Sequence, residues 1–444
     1  MKPRPPVRHQ RLALALGLGL AVALVASPAP AQLVGGGLPA LPGGGLPGGG
    51  LPGSLPDVPR VGRDLPSLAD RTLAPALQTA TSTLTAVRRL AAERLLRDHR
   101  DLVEPDDHGQ PVVRGEVLAI GVDVAAAARL GQAGYTVRRT SDLADLGLQA
   151  VVLGLPAGKS AVAAVRELRA LDPAGQFEFN HLYIESGAVG GSAIAVVAAG
   201  DASGFTVGLV DGSVAASRPA LADARLTQRA FAPGGARTTA HATAVASLIV
   251  GARGAAPGAS LDVADVYGPT PAGGSAEAIA RGLAWLAREK VPVISISLVG
   301  PPNLLLGAAV QALVARGHLV VAPVGNDGPA AAPLYPAAYP GVVAVTGVDA
   351  RRRVLPEAGR GAHVDFAAPG ADVSAAGLAG GFVTVRGTSF AAPVVAARLA
   401  KLLPAPDPAG ARAAVDALGR AAVDLGAPGL DPIYGRGFVD AGRR

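Results

Sequence analysis

From Phe205 to the C-terminus, short runs of consecutive apolar residues alternate with longer stretches of small aliphatic residues at helical spacing. Phe205-Thr206-Val207-Gly208-Leu209-Val210 reads as a strand apolar on both faces, and it ends in Asp211-Gly212. His318-Leu319-Val320-Val321-Ala322-Pro323-Val324 reads the same way and ends in the glycine-bounded polar loop Gly325-Asn326-Asp327-Gly328. Thr238-Thr239 is a polar cap before a helix rich in alanine and valine, which carries His241 in its first turn. Ala391 to Leu403 reads as a second small-residue helix, entered through Arg386-Gly387-Thr388-Ser389-Phe390. Strands apolar on both faces, interleaved with helices, predict an α/β domain with a mostly parallel sheet, whose polar loops gather at the carboxyl ends of the strands.

The pattern upstream is different. Glu116–Val122, Tyr135–Arg139, Gln149–Gly154 and Gln176–Ile184 read as strands, and Ala125–Ala133 and Ser160–Leu171 as helices, giving a small β-α-β-β-α-β unit. We divide the chain into a leader at 1–31, a Gly/Leu/Pro-rich linker at 32–60, a helical segment at 61–110, the small unit at 111–187 and a large domain at 200–444. The linker repeats Gly-Leu-Pro and cannot build a core. In the helical segment Leu73, Leu77, Ala80, Leu84 and Val87 alternate spacings of four and three, with Arg88, Arg89, Arg94 and Arg97 on the other face. That basic face suits an ordinary solvated helix better than an anionic surface. The leader has Lys2, Arg4, Arg8 and Arg11 before an apolar stretch from Leu12 to Val25, then Ala29-Pro30-Ala31, the layout of a secretory signal peptide. Its apolar stretch is shorter than the roughly 20 residues of a membrane span, so the expectation is export to the periplasm or beyond, with no span in the mature form.

Taken singly, the polar signals are bland. Ser389 is a fair helix cap, Asp211 a turn residue, His241 a capping or structural histidine, and Asn326-Asp327-Gly328 a turn. Taken together they supply a hydroxyl nucleophile, a general base, an acid to orient it and an amide donor. Gly387 frees the backbone just before Ser389, and a helix start behind the serine offers unpaired N–H groups to a developing oxyanion.

Asp211, His241, Asn326 and Ser389, in that order, resemble the subtilisin-like serine proteases, the subtilase family. The order acid, His, Ser differs from the chymotrypsin-like and α/β-hydrolase orders, and no G-x-S-x-G elbow occurs. Ala255-Ala256-Pro257-Gly258, Val291 to Leu298, Tyr335 to Val345, Ala367-Ala368-Pro369-Gly370 and Tyr434-Gly435-Arg436-Gly437 resemble further segments of the family. The resemblance implies a three-layer α/β fold with a mostly parallel sheet. It implies a catalytic triad of Asp211, His241 and Ser389, with Asn326 and the Ser389 N–H as oxyanion hole and Ser297, Leu298, Val299 and Gly300 as substrate-binding strand. The small unit, ferredoxin-like α+β, then resembles the family's propeptide, an intramolecular inhibitor released by a cut between Tyr183 and Gly204.

The sequence also departs from the family. His241-Ala242-Thr243-Ala244 stands where relatives carry His-Gly-Thr-His, and Gly212-Ser213 follows Asp211 directly, without the usual intervening Ser or Thr. Val299 replaces a common glycine, which implies a narrowed pocket for small or medium apolar residues; Gly300-Pro301-Pro302 reads equally well as a stiff turn. Gly251-Ala252-Arg253-Gly254 is too short for the family's calcium loop and no alternating Asp/Asn run appears, so no cofactor and no tight calcium site is expected. A net charge of +6 hints at nucleic acid, but only 3% of residues are aromatic and no recognition motif accompanies it. The absence of cysteine excludes disulfides. The expectation is a secreted, self-processing endopeptidase acting on polypeptides; the alternatives are a binding or scaffold protein on a decayed protease fold, and an esterase using the same residues.

Overall fold

The computed structural model describes residues 88, 90–122, 124–193 and 204–440. The leader, the Gly/Leu/Pro-rich linker and the run from Leu73 to Val87 lie outside them, as do residues 194–203 in the stretch where a cut is expected. Among the described residues no helix is long and apolar enough to cross a membrane.

The first part of the described chain runs through α1 (residues 90–98), β1 (Val103–Pro105), β2 (Pro111–Ile120), α2 (Val124–Gln132), β3 (Thr136–Ser141), β4 (Ala150–Gly154), α3 (Ala161–Leu171) and β5 (Gln176–His181). The four longer strands form an antiparallel sheet in the order β3-β4-β2-β5, with β1 beside the start of β2. One boundary is corrected: the stretch 61–110, read as helical, contains β1. Asp106 closes the turn after it by accepting the N–H groups of His108 and Gln110 at 2.8 and 2.7 Å, and three residues are too few for a strand period to show.

The alternation along β2 explains how this sheet is used. Val117 and Ala119 pack under α3 with Leu153, Val165, Leu168 and Phe177. Leu118 and Ile120, pointing the opposite way, join the core of the larger domain beside Leu283 and Leu286. The seam also buries charge. Glu277, fully buried, accepts from Ser141 at 3.0 Å and from Arg139 at 3.3 Å, while Arg139 holds Glu116 at 2.8 and 3.0 Å. Arg139→Ala should lower the stability of the uncut chain by about 3 kcal/mol, read from a urea titration, because two buried carboxylates lose a shared cation.

The second part begins with β6 (Ile184–Glu185) and β7 (Ala188–Ala193) and continues through β8 (Thr206–Asp211), β9 (Arg225–Ala230), α4 (Ala240–Ile249), β10 (Ser260–Asp265), α5 (Ala276–Arg288), β11 (Val293–Ile296) and β12 (Leu298–Val299). It ends with α6 (Leu304–Ala315), β13 (Leu319–Pro323), β14 (Val343–Val348), β15 (Val364–Pro369), β16 (Val373–Ala376), β17 (Phe382–Arg386), α7 (Ala392–Ala400) and α8 (Pro408–Ala421). Seven strands make a wholly parallel sheet in the order β15-β14-β13-β11-β8-β10-β9. Val207, Leu209, Leu319 and Val321 face the cluster of α4, α7 and α8; Val210, Val320 and Ala322 face that of α5 and α6. Three layers result, which is why these strands read as unbroken apolar runs. Chain direction across the sheet reverses at β8, whose neighbours are β10 and β11, and the carboxyl edge there is where such folds hold their sites.

Candidate active site

Asp211 is the last residue of β8 and is fully buried. Its Oδ1 accepts the Gly212 N–H at 2.7 Å, and its Oδ2 lies 2.8 Å from His241 Nδ1. A carboxylate only accepts, so Nδ1 carries the proton and Nε2 is the bare nitrogen, 2.9 Å from Ser389 Oγ, whose hydroxyl donates to it. His241 is held in the first turn of α4, capped by Thr239, which accepts the Ala242 N–H at 3.0 Å. Ala242 and Ala244 are buried in the core cluster beneath the site. Ser389 does not open the helix as the sequence suggests. It sits in a 3-10 turn, Thr388–Phe390, one turn before α7, because Gly387 enters at φ 141 and the tighter turn brings the hydroxyl to His241.

A buried acid missed in the sequence ties this arrangement down. Asp265 ends β10 directly beside Asp211 in register. Its carboxylate accepts from Ser213 Oγ at 2.6 Å, from the Arg237 N–H at 2.6 Å and from the Tyr267 N–H at 3.0 Å. It thereby fixes both the loop after Asp211 and the loop leading to His241.

Asn326, in the loop after β13, accepts the Thr388 N–H on Oδ1 at 3.1 Å, which turns its NH2 group toward Ser389. What that group meets is the chain itself. Asn326 Nδ2 donates to the carbonyl oxygen of Ser186 at 2.8 Å, and the Ser389 N–H donates to the same oxygen at 3.2 Å. Two converging donors on one carbonyl are the arrangement that stabilises a tetrahedral oxyanion.

The residues on either side of Ser186 form strand pairings. β6 pairs antiparallel with β12, Ile184 opposite Val299 and Glu185 opposite Leu298. β7 pairs antiparallel with β17, Ala188 opposite Arg386. Tyr183 is buried with its hydroxyl donating to the Pro301 carbonyl at 2.7 Å, and a Cβ on Gly300 would lie 2.5 Å from its ring. Ser297 is buried at the head of the β12 strand. Leu298, Val299 and Gly300 therefore all lie along the resident segment. Beside Ser186 is a cavity of about 310 Å³ lined by Val299 and Asn326, with the ion pairs Arg386–Glu357 and Arg88–Asp327 at its edge. No local signal marks Ser186 or Glu185, since their seating depends on strands that form only in the folded chain.

Burial would push the His241 imidazole below its ordinary value, but the Asp211 charge and hydrogen bond, with Glu185 nearby, outweigh it and hold it above. Glu185 is raised, first by burial and then by Asp211, against the pull of His241, Thr239 and Arg237. Among the described residues Glu185, Asp211 and His241 have donor atoms within 4.8 Å of one another.

A model of the Subtilase family matches residues 202–437, more than half of the chain. The chain is 34% identical over 222 residues to Subtilisin Savinase of Lederbergia lenta, covering 48% of this chain and 80% of that protein. It is also 34% identical over 222 residues to an alkaline protease of Alkalihalobacillus alcalophilus, of which it spans 57%. Fervidolysin from Fervidobacterium pennivorans, a solved structure of a keratinolytic enzyme related to subtilisin, matches with a TM-score of 0.61 at 19% identity over 76% of this chain and 61% of that one, a likeness of fold. The chain belongs to the subtilase family, and residues 202–437 form a subtilisin-like serine endopeptidase domain.

Proposed function

We propose that this chain is an exported precursor that cuts itself between Ser186 and Gly187, with Asp211, His241 and Ser389 as its triad and Asn326 and the Ser389 N–H as its oxyanion hole. The observation that carries this reading is the Ser186 carbonyl, which accepts from both Asn326 and Ser389 while Ser389 Oγ is hydrogen-bonded to His241. In the reaction Ser389 Oγ attacks the Ser186 carbonyl carbon and His241 Nε2 takes its proton. Asp211 holds the imidazole in the required tautomer and stabilises the imidazolium. The oxyanion collapses, the bond to the Gly187 nitrogen breaks and His241 returns the proton to that leaving amine. Water then attacks the ester with His241 again as base, leaving Ser186 with a free carboxylate.

The small domain acts as intramolecular inhibitor until the cut, and polypeptides are the substrates afterwards. The leader at 1–31 supports export to the periplasm or the medium, and neither nucleic acid nor a tight calcium ion takes part. A calcium chelator is then expected to leave the melting temperature unchanged within about 2 °C. The reading is tested by incubating the full chain with a fluorophosphonate probe: labelling at Ser389 is expected, and a folded protein that resists labelling would support the scaffold alternative.

Self-cleavage needs neutral His241, whose value is raised, so the rate falls as pH drops through a point above the ordinary histidine value of about 6.5. Glu185→Gln removes one of the two anions holding the proton on, and should move this acidic limb to lower pH in a rate–pH profile.

A further inference from the structure

The proposed scissile bond has glycine on its leaving side, and the surroundings of Gly187 leave no room for anything larger. A Cβ built on Gly187 would lie 2.5 Å from Ser389 Oγ, and 2.5 and 3.2 Å from two ring carbons of Phe390. Neither neighbour can retreat. Ser389 Oγ is held at 2.9 Å by His241, and the Phe390 ring is fully buried in the core, its centroid 5.0 Å from that of His241.

The segment cannot back away either. On its other side stands Gly387, where a Cβ would come within 2.7 Å of Gly187 Cα and 2.9 Å of the Ser186 carbonyl oxygen. Pairing with β12 before the bond and with β17 after it fixes the register, so the chain cannot slide to relieve the contact. Two glycines thus pass one another, with the Phe390 ring closing the space beside the leaving amine.

Resting on the self-cleaving reading above, we infer that this peptidase selects glycine immediately after the scissile bond, and that the Phe390 ring imposes the selection together with the Ser389 hydroxyl. Its substrates are then polypeptides presenting glycine on the leaving side of the bond in an extended segment. Any side chain at the glycine position must displace Phe390 or the nucleophile, and either displacement raises the barrier to attack.

The test compares the full chain with Gly187→Ala, Phe390→Leu and the double variant. Gly187→Ala should slow self-cleavage at least about 30-fold, and the double variant should recover about 3-fold or more of that loss, because the contact with Ser389 Oγ remains. Since Phe390→Leu could disturb the core, self-processed wild-type protein is also given Tyr-Ile-Glu-Ser-Gly-Ala-Val and its counterpart with alanine in place of the glycine. The glycine peptide should be cut at least about 30-fold faster in kcat/KM. Equal cutting of the two peptides, or a Gly187→Ala chain that matures at the wild-type rate, overturns the inference alone. A preference for glycine that Phe390→Leu leaves untouched overturns the role of Phe390. If neither the chain nor any peptide is cut in a Ser389-dependent manner, the peptidase reading fails and the inference falls with it.

Discussion

Ser389→Ala leaves a folded, uncut chain whose turnover falls on the order of a million-fold, the loss that subtilisin shows when its own serine is removed. The change deletes one buried hydroxyl, and with it a single hydrogen bond to His241 Nε2. That bond contributes about 1 kcal/mol to stability, so the fold stands. Chemistry has no substitute among the described residues, because Ser389 Oγ is the hydroxyl that His241 Nε2 holds. The resident segment keeps its two strand pairings and the Asn326 donor, so the variant should hold the uncut segment in place. Activity on a protein substrate and the melting temperature, measured on the same sample, separate a chemical loss from a folding loss.

Asn326→Ala is expected to slow turnover by about 10²- to 10³-fold, equivalent to roughly 3 to 4 kcal/mol of transition-state stabilisation, a magnitude known from subtilisin. Asn326 Nδ2 is one of two donors on the Ser186 oxygen, at 2.8 Å against 3.2 Å for the Ser389 N–H. As the carbonyl becomes an oxyanion the neutral hydrogen bond becomes charge-assisted, so the loss falls on the transition state more than on binding. The expected signature is a lower kcat with KM within a few-fold of wild type. Thr388 N–H also loses its acceptor, and a drop in melting temperature comparable to a core mutation would mean that Asn326 acts by bracing the nucleophile turn instead.

The features that the sequence made legible are those written in consecutive residues. β8 and β13 lie between two helical layers, so both faces are apolar, and an acid or amide at the strand end stands out against that run. His241 stands out because a polar cap precedes a helix of alanine and valine. Features that arise from distant pairing were hidden. β6 and β7 are short, and their partners β12 and β17 are more than a hundred residues away, so nothing local shows that Ser186 would meet Asn326 and Ser389. Asp265 was hidden for another reason. It ends a strand as Asp211 does, and only the folded register shows that His241 reaches one acid while the flanking loops bind the other. The 3-10 turn at Ser389 likewise depends on where His241 stands.

The most direct measurement is N-terminal sequencing and intact mass of the fragments formed when the purified full chain is incubated at mildly alkaline pH, beside the Ser389→Ala chain. The expected result is a new N-terminus at Gly187 in the wild type and none in the variant. A wild-type chain that stays whole, a first cut at another bond, or the same cut in Ser389→Ala would contradict it.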